Sequence, residues 1–108
     1  MIVVPLAAEP NQRLQIILGN QDITLRVYTR DGLTFTDLDV GQNPVWRGSV
    51  AYDMAPLKRY PHLPFRGQLV FLDLHGVDNP KWEGFGARFF LIYLTDEEDV
   101  NAFPERNP

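Results

Sequence analysis

Cysteine is absent from the 108 residues, which excludes disulfides, thiolate-bound metals and thiol nucleophiles together. Serine occurs once, at Ser49, and histidine twice, at His62 and His75. A hydrolase triad would have to use Ser49, yet Arg47-Gly48-Ser49-Val50-Ala51 is not a nucleophile elbow. It sits within a strand-forming stretch, where a hydroxyl more often bonds backbone or faces solvent. Long apolar runs are also missing: residues 2–8 and 89–94 fall far short of the about 20 that a spanning helix needs. The first run has no basic leader and carries Pro5, so it reads as a first β-strand rather than a signal peptide. Cations are the scarcer charge, ten against fourteen acidic side chains, for a net charge of −4. That sign disfavours generic nucleic-acid binding, since a phosphate backbone calls for the opposite. Lysine in particular is rare: eight of the ten cations are arginines, the cation suited to fixed, forked contacts at interfaces.

What is present is enough for one core. Hydrophobic residues make up 44%, and a chain of this length buries about two-thirds of its unfolded surface. Charged residues are 22%, an ordinary globular share that argues against disorder of the whole chain. Eight glycines and nine prolines divide the chain into short pieces rich in β-branched and aromatic residues, with no sustained helical stripe. Residues 13–18 and 23–29 are the clearest strands; in the second, Ile23, Leu25 and Val27 alternate with Thr24, Arg26 and Tyr28. Gly19-Asn20-Gln21-Asp22 joins them as a hairpin. Arg30-Asp31-Gly32 turns the chain into a strand over 33–40, with Leu33 and Phe35 on one face, and Gly41-Gln42-Asn43-Pro44 turns it into one over 45–52. These four strands form a meander.

The stretch 54–64 holds three prolines, Pro56, Pro61 and Pro64, which forbid a long helix and a central strand. It is expected as an ordered crossover docked by Leu57, Tyr60 and Leu63, with at most one helical turn around 57–60. Residues 68–74 and 87–95 follow as strands apolar on both faces, joined by a loop over 76–86 that carries Trp82. Such strands lie mid-core or have one face covered by a partner. Phe89, Leu91 and Tyr93 are placed at the core's centre. The expected fold is all-β: a small sandwich or open barrel of six to eight mostly antiparallel strands with a Pro-rich crossover. Residues 1–95 form a single β domain, and the acidic stretch 96–108 is expected as a mobile C-terminal tail.

Chemistry-bearing candidates each have a plainer reading beside them. Asp73 and His75, two apart at a strand end, share a face as ligands or an acid–base pair would. No third or fourth ligand is legible by spacing, so a surface histidine beside a turn aspartate is preferred. Asp37 and Asp39 resemble a fragment of a calcium loop but lack its glycine and its terminal glutamate; charges that protect a strand edge are preferred. Trp46, Tyr52, Tyr60 and Trp82 could form a flat platform for sugar rings, which makes a small carbohydrate-binding β-sandwich module the alternative function. Trp46, Val50 and Tyr52 share one alternation, which favours core filling instead. Trp82, between Lys81 and Glu83 in a loop, is either locally packed or an interface anchor. Arg59 and Arg66 bracket the crossover and either meet partner carboxylates or brace their own loop.

The order of these motifs resembles the small phage tail protein family typified by the cyanophage baseplate plug protein. Val4-Pro5-Leu6 is followed by Asn11-Gln12, then a Leu18-Gly19 hairpin leads into Leu25-Arg26-Val27, and Phe35-Thr36-Asp37-Leu38 precedes an Asn43-Pro44 turn. Next come Leu57-Lys58-Arg59-Tyr60-Pro61-His62-Leu63-Pro64, residues 69–73, the 78–80 loop, Phe85-Gly86 and Leu91-Ile92-Tyr93. The likeness spans about residues 2–95. It implies a structural component of a phage tail baseplate, associated with plug or hub, and not an enzyme. By implication the protein has no cofactor, is synthesised in the host cytoplasm and ends up in the virion tail. Its partners would be other tail proteins (hub, tube end or tape measure) rather than nucleic acid or membrane, with symmetric rings formed only in the assembled particle. Arg59, Arg66, Lys81 and Trp82 are the candidate interface residues.

Overall fold

A computed structural model describes residues 1–98. Seven strands build two antiparallel sheets: β1 (Ile2–Val4), β2 (Asn11–Leu18), β3 (Gln21–Arg30), β4 (Leu33–Val40), β5 (Asn43–Val50), β6 (Gln68–Asp73) and β7 (Phe89–Leu94). One sheet runs β2-β3-β4-β5 and the other β1-β7-β6, so the architecture is a sandwich and not a closed barrel. The meander over the first four long strands is as the sequence indicates, and its turns are tighter. Leu18 pairs with Gln21, Arg30 with Leu33 and Val40 with Asn43, which leaves two residues in each loop. Gly19 (φ 57°) and Asn20 (φ 60°) are both left-handed, the conformation whose twist matches the strands it joins.

The sheets meet over one apolar core. Ile23, Leu25, Val27 and Leu38 enter it from the first sheet, and Val4, Leu69, Phe71, Phe89, Leu91 and Tyr93 from the second. Phe65 ties them together: its ring packs edge-on to Trp46 and to Tyr93, each at 5.8 Å. Strands β6 and β7 are apolar on both sides, as expected. Their other face forms a second cluster of Val70, Leu72, Ile92 and Leu94, against which Met54 and Phe90 pack.

Several expectations change. The first strand stops at Val4, because Pro5 offers no N–H to a ladder. Leu33 and Phe35 do share a face, but it is the outer one; Thr34, Thr36 and Leu38 point inward. Tyr52 is 41% exposed and does not join Trp46 in the core. Between Phe35–Val50 and Val40–Asn43 the register slips twice, so β5 carries two extra residues and Trp46 and Ser49 become the inward pair. Leu74 lies past the end of β6 and is exposed. The crossover contains no helical turn at 57–60; the described residues hold one 3-10 turn, Trp82–Gly84. Leu57 is fully buried in the crossover, while Tyr60 is 61% exposed and packs beside His62 instead. Of the stretch 96–108, Asp96 accepts the Gly67 N–H and Glu98 accepts the Thr95 N–H; residues 99–108, and with them most of the expected mobile tail, lie outside the described residues. No described helix is long and apolar enough to cross a membrane.

Candidate assembly surface

Hydrophobic burial makes the two sheets, but irregular segments decide what the surface presents. An irregular segment must satisfy its backbone groups one by one, and three polar side chains, two of them buried and Gln68 half-buried, contribute to this. Ser49 donates its hydroxyl to Leu57 O at 2.8 Å, anchoring the start of the crossover. Gln21 receives the Arg66 N–H at 2.8 Å and donates to Leu18 O and Arg66 O at 3.0 Å each, anchoring its end. Gln68 accepts the Lys58 N–H and donates to Lys58 O.

Asp73 organises the loop between β6 and β7. Its side chain is fully buried. It receives Nε and a terminal nitrogen of Arg88 at 2.9 and 2.8 Å, and the N–H groups of His75 and Asp78 at 2.8 and 2.9 Å. Arg88 also pairs with Asp78 at 2.7 Å. The Arg88 bonds, with the two backbone donors, hold the Asp73 carboxyl far below the usual carboxylate range in spite of its burial. The loop is thereby fixed at both ends and crosses to the other sheet, where Thr34 donates its hydroxyl to Pro80 O at 2.9 Å.

On this frame Trp82 is half-buried. It packs against the main core and lines a cleft of about 140 Å³ with Thr29, Gly32 and Thr34. Lys81 and Glu83 are exposed on either side of it. Local packing and an outward-facing edge therefore coexist in this one residue. Arg59 and Arg66 lie elsewhere, on the crossover. Arg59 donates to Val50 O and, at 3.4 Å, to the Ser49 hydroxyl; Arg66 donates to Gly19 O at 2.7 Å. Both guanidinium groups brace the chain's own backbone, and both line open grooves beside Lys58 and Asp96.

The chemistry-bearing candidates fall into structural roles. Ser49 is buried and bonded as described, with no histidine in its hydrogen bonds. His75 is exposed, and its link to Asp73 runs through its backbone N–H rather than its ring. Asp37 and Asp39 lie on the outer face of β4, an inner strand, so the edge-protecting role assigned to them from sequence does not hold. Asp37 accepts the Tyr28 hydroxyl and the Gly48 N–H, and Asp39 pairs with Arg26 and Arg47 at 3.1 and 2.7 Å. Burial pushes the Asp39 carboxyl up, but the two arginines outweigh it and hold it below its ordinary value. Among the described residues no group of three or more metal-ligating side chains comes together. Trp46 donates its indole N–H to Thr36 at 3.1 Å inside the core, which withdraws it from any sugar platform.

Sequence reasoning missed Asp73 as a loop organiser and Gln21 as a bridge between hairpin and crossover. A signal for the first was available: an aspartate ending a strand, with Arg88 opening the return strand. Gln21 had none, because its partner is the backbone of Arg66. The comparisons add one finding. The family model described as cyanophage baseplate Pam3 plug gp18 matches residues 1–97, nearly the whole described chain. No curated protein matches.

Proposed function

Because the chain belongs to the cyanophage baseplate plug family, we propose that it is a structural part of a phage tail baseplate. It acts by binding other tail proteins: the hub, the tube end or the tape measure. It is made in the host cytoplasm and built into the virion tail. The family match carries this reading, and the geometry supplies the means. A loop locked by Asp73 and Arg88 holds Trp82 in a fixed pose, with one side on the core and the other beside exposed Lys81 and Glu83. A rigid aromatic within a polar rim is the form of an interface hot spot, because no ordering cost remains to be met on binding. Arg59 and Arg66 contribute by holding the crossover in shape beside the open grooves that they line.

Complementation tests the proposal. A phage with this gene disrupted should make tails without a complete baseplate, and the wild-type protein supplied in trans should restore them. Trp82→Ala, checked for folding by circular dichroism, should stay out of the particles. Complete, infectious tails carrying Trp82→Ala would remove Trp82 from the interface; complete tails with no protein at all would overturn the function.

A further inference from the structure

The sandwich has four sheet edges, and three are closed to further strands. β5 carries Pro44 and two register slips, and Arg59 occupies Val50 O. The outer side of β6 is taken by the crossover, whose Met54 and Leu57 N–H groups bond to Phe71 O and Leu69 O at 2.9 Å each. β1 has only three residues. Each is a recognised way of blunting an edge.

β2 is different. It pairs with β3 in unbroken register over all eight of its residues. The two-residue turn makes Leu18 and Gln21 a hydrogen-bonded pair, and alternate pairs down the ladder follow, ending with the Thr29 N–H on Pro10 O at 3.0 Å. The N–H and C=O groups of Leu18, Ile16, Leu14 and Gln12 therefore face β3. Those of Asn11, Arg13, Gln15 and Ile17 face outward, along an edge with no described strand beside it. Their side chains are all exposed, Ile17 at 71%. On the inward face Leu14 and Ile16 reach the main core but are only partly covered.

We infer that β2 is a docking edge for an extended segment of another tail protein, which adds as a fifth strand to this sheet. The inference rests on the assembly role proposed above. Main-chain bonds to Asn11, Arg13, Gln15 and Ile17 supply the pairing. Apolar residues at alternate positions of the incoming strand cover Leu14 and Ile16, and a carboxylate beside them meets Arg13. Arg13 is in no ion pair among the described residues. A second copy of β2 fits less well: the strand reads Asn-Gln-Arg-Leu-Gln-Ile-Ile-Leu and has no acidic residue to offer Arg13.

Amide hydrogen exchange and one proline variant test this. In the isolated protein the amides of Asn11, Arg13, Gln15 and Ile17 should exchange fast while those of Gln12, Leu14, Ile16 and Leu18 are slow; in purified particles both sets should be slow. Gln15→Pro removes an outward N–H without touching the β3 ladder, so it should keep the fold and lose incorporation, whereas Gln15→Thr should incorporate normally. Fast exchange of the outward set within particles, or normal incorporation of Gln15→Pro, would overturn the inference while leaving the assembly role intact. Slow exchange of the outward set in an isolated protein that sediments as a dimer would overturn it in favour of a second copy. Absence of the protein from purified particles would overturn the assembly role and this inference together.

Discussion

The two sheets solve the same problem in opposite ways. In β2-β3-β4-β5 each strand pairs with its sequence neighbour through a two-residue turn, so the chain's local chemistry specifies the pairing. In β1-β7-β6 the first strand pairs with the last, and long irregular segments lead into and out of β6. Local signals cannot specify such contacts, and the entropy of closing those loops must be offset by something fixed. Here the fixed elements are buried polar side chains bonded to backbone groups of the irregular segments: Asp73 at the start of the β6–β7 loop, Gln21 and Ser49 at the two ends of the crossover. A part that must hold a shaped surface while it is built into a larger particle gains from this division. One sheet folds on local instructions, and the other carries the loops.

Disabling one of those fixed points gives the largest predicted difference between the sheets. Asp73→Ala leaves Arg88 with Asp78 alone and takes the acceptor from the His75 and Asp78 N–H groups; each donor left unsatisfied costs about 1–3 kcal/mol. Chemical denaturation should show that loss, while an alanine on the exposed surface of β2 should stay within about 0.5 kcal/mol. Glycine substitutions sharpen the same contrast. Gly32 (φ 77°) lies in an open hairpin turn, and a Cβ there meets nothing; alanine should cost only the backbone strain of about 1–3 kcal/mol. Gly67 (φ 95°), where the crossover enters β6, faces Leu94 O and the Tyr93 ring. Gly67→Ala should lose clearly more than Gly32→Ala in paired thermal melts.

Acid gives a smaller, graded effect. The folded Asp73 carboxyl titrates far below the unfolded value of about 3.9. Its contribution is therefore complete above about pH 5 and is lost as pH falls below that, through the unfolded value, toward the folded pKa. The melting temperature of the wild type should drop between pH 6 and 3, and Asp73→Asn, starting lower, should show a flatter profile. The smallest effect belongs to His75→Ala. The ring is not among the groups that hold the loop, and the backbone N–H that does remains, so stability should change by no more than about 0.5 kcal/mol.

The same division explains what the sequence revealed. The meander was legible because Gly19-Asn20 and Asp31-Gly32 announce tight turns between alternating strands. The apolar faces of β6 and β7 were legible because Leu69, Val70, Phe71 and Leu91, Ile92, Tyr93 leave no polar side. The inward partner of Trp46 was not, since a bulge resets the alternation by one residue and replaces Tyr52 with Ser49. The crossover's docking was legible only for Leu57 and Leu63; Tyr60 has the same composition signal but stays exposed. At the candidate surface, Trp82 stood out by its position between charges, whereas Asp73 looked like half of an acid–base pair. Its actual partners are an arginine fifteen residues on and two backbone groups that no spacing rule reveals.

The central claim is that this sandwich is a building part of a tail baseplate. Electron cryo-microscopy of purified particles tests it most directly. The account predicts density for both sheets at the baseplate end of the tail, with the Trp82 loop pressed against a neighbouring protein. Well-resolved, complete baseplates with no density into which the two-sheet sandwich fits would contradict it.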